Sequence, residues 1–303
     1  MSNRWAALIN LPPDKQERLG AILGAMATQV CSVDWQRLGA TPSGPPALVV
    51  APIEDYARNK DGLLPWLRQA GDRPVMAVLA QAAALPETLR VQLEHDLLNV
   101  LPEPLWSDPP CLERTLRGLL FPGEMFDMGC LVPGAAVIEQ FEITTLAEKH
   151  QIAEEVVVLA RPYLTGRRHV RDIHLIINEL INNAFFHSFR NPEGEEKYSP
   201  RRFSRLDKDE HVVLEAAMGD EAIALAVEDN CGTLSPREVL RYLLRQGSGE
   251  GLYDSHGRGF YLVCNLVDHL SICLVPGERS RVISMRHAGN TPPIRTLNFF
   301  IAP

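Results

Sequence analysis

The chain has 303 residues, a formal net charge of −8, and 46% hydrophobic and 22% charged residues. That length suits two domains, each burying its own core. The acidic balance argues against non-specific binding to nucleic acid or to an anionic membrane, since both need clustered Lys and Arg. No run approaches the roughly 18–20 apolar residues that cross a bilayer, and the N-terminal MSNRWAALINLPPDKQ has no signal-peptide layout, so a cytoplasmic location is expected. The six cysteines form no CxxC pair and the nine histidines no ligand set. Buried free thiols are expected, and a metal held by His and Cys is not.

In chain order, WAALIN (5–10) reads as a strand and DKQERLGAILGAMA (14–27) as a helix. TQVCSV (28–33), ALVVAP (47–52), PVMAVLA (74–80) and LNVLPE (98–103) read as further strands, separated by helical or loop segments. Such alternation suggests a parallel sheet with helices on both faces. FPGEMFDMGCLVPGA (121–135) is rich in Gly and Pro and breaks the pattern. The expected organisation is therefore a domain over 1–122, a linker over 123–136 and a second domain over 137–303.

The second half has a different grammar. Helices are expected over 144–164 and 169–189, a hairpin from VVLEAAM (212–218) and AIALAVED (222–229), and a short helix over 235–245. Another helix begins near Gly257, and SICLV (271–275), RVISMRH (281–287) and RTLNFFI (295–301) close the chain as strands. Helices with hairpin-linked strands suggest a two-layer α+β sandwich.

Three stretches carry chemistry. In the helix that carries INELINNAFFHSF (177–189), Val170, Ile173, Ile177, Leu180 and Ala184 form an apolar stripe, and Glu179, Asn183 and His187 form a polar line beside it at helical spacing. A polar line flanking a core stripe fits the edge of a cavity; a chance helix border is the plainer reading. In IALAVEDNCGTL, Asp229 ends the row Ile223, Leu225, Val227 on one strand face, where ionisation is costly without a donor. A bound amino group could supply that donor, or Asp229 could simply cap the turn. In SHGRGFYLVCNLVDHL, Gly257 and Gly259 flank a helix start whose N–H groups suit a phosphate, although a lone GxG is most often a plain turn.

In this order, NELINNAFFH, VEDNCGTL and HGRGFYLV resemble the N, G1 and G2 boxes of the GHKL, or Bergerat-fold, ATPase superfamily, and PGERSRVISM (276–285) resembles its G3-type hairpin. The resemblance covers roughly 137–303 and is nearest to the anti-sigma-factor serine kinases, through His187 and the uninterrupted helix 144–164. It implies ATP and Mg²⁺ as cofactors. Asn183 would be the magnesium ligand, Glu179 the general base and Asp229 the acceptor for the adenine amino group. Gly257, Arg258 and Gly259 would approach the phosphates, residues 235–256 would form a lid, and His187, Gly232 and Ser280 would complete the nucleotide site. Cys231 and Thr233 stand at two glycine positions of the G1 pattern, and Phe186 where many histidine kinases place a phosphate-binding Lys. Crowding at the base, a restricted turn and slow turnover are expected.

One helix precedes the N box, too little for a conventional histidine-kinase hairpin. His150, on the apolar row Leu146-His150-Ala153-Val157, is expected to be packed or at an interface. The first half resembles a response-regulator receiver domain in layout, without its acidic pocket. The corresponding places read Leu11-Pro12-Pro13, Ala51-Pro52 and Leu101-Pro102-Glu103-Pro104, and Glu54 and Asp55 are expected to face solvent. The expected function is an ATP-binding regulatory protein of bacterial signal transduction, an anti-sigma-like Ser/Thr kinase or partner switch gated by a pseudo-receiver. Alternatives are a non-catalytic scaffold with a degenerate pocket and a catalytic half acting on a separate phosphoacceptor. The expected partners are a sigma factor, an anti-anti-sigma-like antagonist or a phosphoacceptor protein, and a second copy of the chain as a homodimer.

Overall fold

The computed structural model describes residues 5–33, 35, 46–59, 75–80, 85–164, 167–248, 258–287 and 296–302. The chain divides into two compact units, Met1–Phe121 and Pro122–Pro303. Among the described residues no helix is long and apolar enough to cross a membrane.

The first unit is an α/β structure. Strands β1 (Trp5–Leu8), β2 (Gln29–Ser32), β3 (Leu48–Pro52), β4 (Val75–Ala80) and β5 (Asn99–Pro102) form one parallel sheet in the order β2-β1-β3-β4-β5. Runs such as WAAL and NVLP are buried at every position, as strands covered on both faces require, and the edge strand β2 is partly exposed. Helices α1 (Pro13–Ala25), α2 (Leu85–Glu94) and α3 (Pro109–Leu120) connect or follow the strands. Proline in the first turn starts both α1 and α3, and the Asp108 side chain caps α3 by accepting from Cys111 N–H.

This strand order is that of doubly wound flavodoxin-like sheets, in which the direction of winding reverses between β1 and β3. Past the carboxyl ends of these two strands, Asn10 Nδ2 donates to Asp55 Oδ2 at 2.5 Å and Arg58 Nη2 pairs with Asp55 Oδ1 at 2.6 Å. With its side chain 17% exposed, Asp55 does not face solvent as its position in the sequence suggests. Its place one turn into the helical stretch 53–59 turns the carboxylate back toward Asn10. Past β5, Glu103 is likewise engaged, by Lys15.

The second unit is built on a mixed six-stranded sheet in the order β11-β9-β10-β8-β7-β6, antiparallel except for the β11–β9 pair. Its strands are β6 (Val137–Glu142), β7 (Val212–Met218), β8 (Ala222–Asp229), β9 (His269–Val275), β10 (Arg279–His287) and β11 (Thr296–Ile301). β6 was not apparent in the sequence, because an edge strand needs no buried face and VIEQFE has none. The helices are α4 (Met128–Leu131), α5 (Leu146–Ala160), α6 (Arg167–Asn183), α7 (Pro236–Gly247) and α8 (Arg258–Leu266). α5 packs on α6, α6 on α8 and α8 on α7, and α6 and α8 contact β8 and β9 respectively.

The segment 123–136 differs from the expected linker. Met125, Met128, Leu131 and Val132 are buried, and the short helical turns they anchor pack on β7, β9 and β11. Gly and Pro supply its sharp turns, while methionines and leucine tie it to the sheet.

Arg281 alternates with Ser280 and Val282 along β10 and so points to the opposite sheet face. It is 2% exposed and pairs with Glu215 of β7 and with Glu228 of β8, the latter at 3.2 Å. Removing the buried arginine takes from two half-buried carboxylates the charge that compensates them, leaving Glu228 only Arg279 at 3.8 Å. Arg281→Ala is therefore expected to destabilise the second unit by about 3–5 kcal/mol, as read by chemical denaturation.

Candidate functional site

The site grows from three local decisions of the chain. The first is the start of α5. Thr145 Oγ1 accepts from Glu148 N–H, and the Glu148 carboxylate accepts from Thr144 and Thr145, a reciprocal cap that fixes where the helix begins. Hydrogen bonds from Thr144 foremost hold the Glu148 carboxyl below its ordinary value. The cap sets the phase of α5 so that Lys149, Ile152, Ala153, Val156, Val157 and Ala160 face inward. His150 is thereby exposed and not packed within the unit, and the polar residue on the buried row is its neighbour Lys149.

The second is the end of α6. Ile173, Ile176, Ile177, Leu180 and Ile181 are buried, while Glu179, Asn183 and His187 border them at intermediate exposure. After Asn183 the helix widens into a π-helical turn, Ala184–Ser188, of the sort that often marks functional sites. Phe185 and Phe186 are buried there and stack with Phe203. The same turn aims Ser188 Oγ at Asp229 Oδ2, to which it donates at 2.8 Å, and His187 Nδ1 lies 2.7 Å from Glu196 Oε1.

The third is the turn after β8. Asp229, 5% exposed, also accepts from Cys231 N–H at 3.0 Å. Ser280 stands across the ladder from it, with its hydroxyl buried beside the carboxylate at less than full hydrogen-bonding geometry. Gly232 has φ +61°, and a Cβ there would lie 2.4 Å from Val275 O and 2.7 Å from Gly277 N, in the β9–β10 turn. Backbone packs on backbone, which only glycine permits. Cys231 and Thr233 are not among the residues with positive φ, and Thr233 Oγ1 donates to Ser188 O at 2.7 Å. The expected restriction of the turn by these two side chains is thus absent, because the strained position is Gly232, between them. The Cys231 thiol is pushed up to about 11, by burial first and then by the negative charges of Asp229 and Glu210, which makes it a poor nucleophile.

Two cavities meet at Asn183 and His187. One, of about 340 Å³, is lined by Asp229, Thr233, Val227, Val282, Phe260 and Tyr242 among others. The second, of about 420 Å³, is lined by Glu179, Lys149, His150, Phe186, Arg258 and Gly259 among others. A Cβ on Gly259 would come within 2.7 Å of Glu179 Oε2 and 3.2 Å of Asn183 Oδ1, so the start of α8 closes directly on the polar line of α6. Burial raises the Glu179 carboxyl above its ordinary value, opposed by the Lys149 charge, and burial lowers Lys149, opposed by Glu179. Of the expected site residues, Glu179, Asn183, His187, Asp229, Arg258 and Gly259 line these two cavities, and Gly232 and Ser280 support Asp229 from behind. Gly257 and residues 249–256 of the expected lid lie outside the described residues; the described part of the lid includes α7, which contributes Glu238, Val239 and Tyr242 to the first cavity.

Residues 142–287 match the family model of the histidine kinase-like ATPase domain. The match supports an ATPase domain of GHKL type in the second unit and spans the three motifs and the helix-on-sheet arrangement that brings them together. A comparison of the chain with curated proteins returns no match.

Lys149 is the residue that reading by motif overlooked. Its signal is an apolar i, i+3, i+4 row that begins with a lysine, whereas the row expected from the sequence runs through His150.

Burial is the first cause of the Asp229 shift, and it raises the carboxyl above its ordinary 3.8. The folded state therefore binds this proton more tightly than the unfolded chain does. The stabilisation that follows is complete below the unfolded value and is lost as the pH rises through the folded one. Asp229→Asn is expected to have a thermal midpoint equal to or above that of the wild type at neutral pH. The difference should narrow as the pH falls toward about 4.

Proposed function

We propose that the ATPase domain binds ATP with Mg²⁺ and acts as an anti-sigma-like Ser/Thr protein kinase or partner switch. The observation that carries the reading is a buried carboxylate acceptor, Asp229, at one end of a two-compartment groove and a half-buried base, Glu179, in the other compartment. Asp229 takes its two well-formed hydrogen bonds from Ser188 and Cys231, and its contacts with Gly232 N–H and Ser280 are weaker, so an exocyclic amino group can compete for an acceptor site there. Asn183 has a buried Nδ2 without a partner, and its Oδ1 faces the start of α8, so the residue has free capacity for a ligand.

In this reading Asp229 orients the base, and Gly232 and Ser280 hold the turn that carries it. Asn183 would hold Mg²⁺, which supplies charge neutralisation at the phosphates. Gly259 and Arg258 meet the phosphates at the helix start. Glu179, with its proton affinity raised by burial, takes a proton from an attacking hydroxyl. The strand order of the first unit supports a receiver-like domain, and the engaged state of Asp55 and Glu103 supports a pseudo-receiver that works through protein contacts. The partner on this reading is a regulatory protein, not nucleic acid, given the net charge of −8, and the working form is a homodimer.

Calorimetric titration of Mg²⁺–ATP into the wild type and Asn183→Ala tests the reading. Binding that falls by about tenfold or more in the variant is expected, the size of a lost charge-assisted contact. No binding to the wild type at millimolar ATP would overturn it.

A further inference from the structure

We propose that Lys149 is the cation that receives the terminal phosphate of the bound nucleoside triphosphate, reaching it from α5 rather than from α6. The proposal rests on the nucleotide reading above and adds to it the group that tells a triphosphate from a diphosphate.

Lys149 is 5% exposed, a rare condition for a lysine without a reason. Its Nζ donates to Asn182 Oδ1 at 3.0 Å and makes no ion pair among the described residues. An ammonium has three donors, so two remain unused. Glu179 is near enough to favour the charged form yet does not bridge to it. A buried cation in this condition is costly unless an anion completes it.

The surroundings indicate where that anion sits. Lys149 lines the second cavity with Glu179, Asn183, Arg258 and Gly259. Asn183 is shared with the first cavity, so the second continues the groove away from Asp229, in the direction a triphosphate chain would extend. Two further donors converge there: the unpartnered Asn183 Nδ2 and the opening turn of α8, brought close enough that Gly259 has no room for a Cβ. The stretch of α6 and the π turn that lines both cavities contributes no lysine or arginine, and Phe186 is committed to the aromatic cluster. Among the described residues the buried ammonium in the compartment is that of Lys149, seated beside the expected base, where it would draw the terminal phosphoryl group into reach of a hydroxyl activated by Glu179.

The test compares binding of ADP and of the non-hydrolysable β,γ-imido analogue of ATP, both with Mg²⁺. It uses the wild type, Lys149→Arg and the double variant Lys149→Met/Glu179→Gln, which removes both charges so that neither is left unpaired. The wild type is expected to prefer the triphosphate by about tenfold, the scale of one charge-assisted contact. Lys149→Arg should keep most of that preference, and the double variant should lose it, with the triphosphate analogue weakened more than ADP. A preference that survives in the double variant, or equal losses for both nucleotides, would overturn the proposal while leaving the nucleotide site standing. A wild type that binds neither would overturn the site and the proposal together. A measurement on the unaltered chain stands behind these variants: acetic anhydride labelling of Lys149, read by peptide mass, should be slowed by the triphosphate analogue and not by ADP. Equal protection by ADP would overturn the assignment.

Discussion

A carboxylate buried at the end of an apolar strand row organises the second unit. Asp229 is kept in place by a hydroxyl from the N-box helix and an amide from its own turn, and each of these has structural consequences. For Ser188 to reach it, α6 must widen into a π turn, and that turn also seats two phenylalanines in the core and carries His187 to the junction of the two cavities. For Cys231 N–H to reach it, the chain must turn sharply, and the turn packs against the β9–β10 hairpin so closely that Gly232 is obligatory. The end of α6, the turn after β8 and the β9–β10 hairpin are bound to one another around this residue, although they are far apart in the chain.

The second compartment follows a different principle. The first is shaped by hydrogen bonds to a single acceptor, whereas the second sets opposite charges near each other without pairing them. Glu179 and Lys149 each lose hydration, each moderates the shift of the other, and they face a common cavity closed by the start of α8. A stable ion pair would silence both groups. Separation leaves one able to accept a proton and the other able to meet an anion, at a cost in stability that the ligand would offset.

Much of this was legible in the sequence, for identifiable reasons. Strands β1, β3 and β5 of the first unit and the β7–β8 hairpin announced themselves because buried strands need unbroken or alternating apolar residues. The site residues on α6 followed from spacing, since its apolar face is long enough to set the helical phase. Where the pattern was weak, reading failed. The edge strand β6 buries little and left no pattern, and the segment 123–136 hid its anchoring methionines among glycines and prolines. The phase of α5 depended on a cap at Thr145 whose effect no periodicity count includes, so Lys149 was passed over for His150. Motif alignment likewise placed the conformational burden on Cys231 and Thr233, when the close approach of a distant hairpin puts it on Gly232.

The central claim is that Asp229 reads an amino group. Competition between ATP and inosine triphosphate on the wild-type protein tests it most directly, because the two differ at the base by an amino group against a carbonyl. A carbonyl facing the carboxylate leaves a buried acceptor without a proton between them. The account requires the inosine nucleotide to bind more weakly by about tenfold or more. Equal binding of the two would mean that Asp229 serves the turn and not the base, and would contradict the account at its foundation.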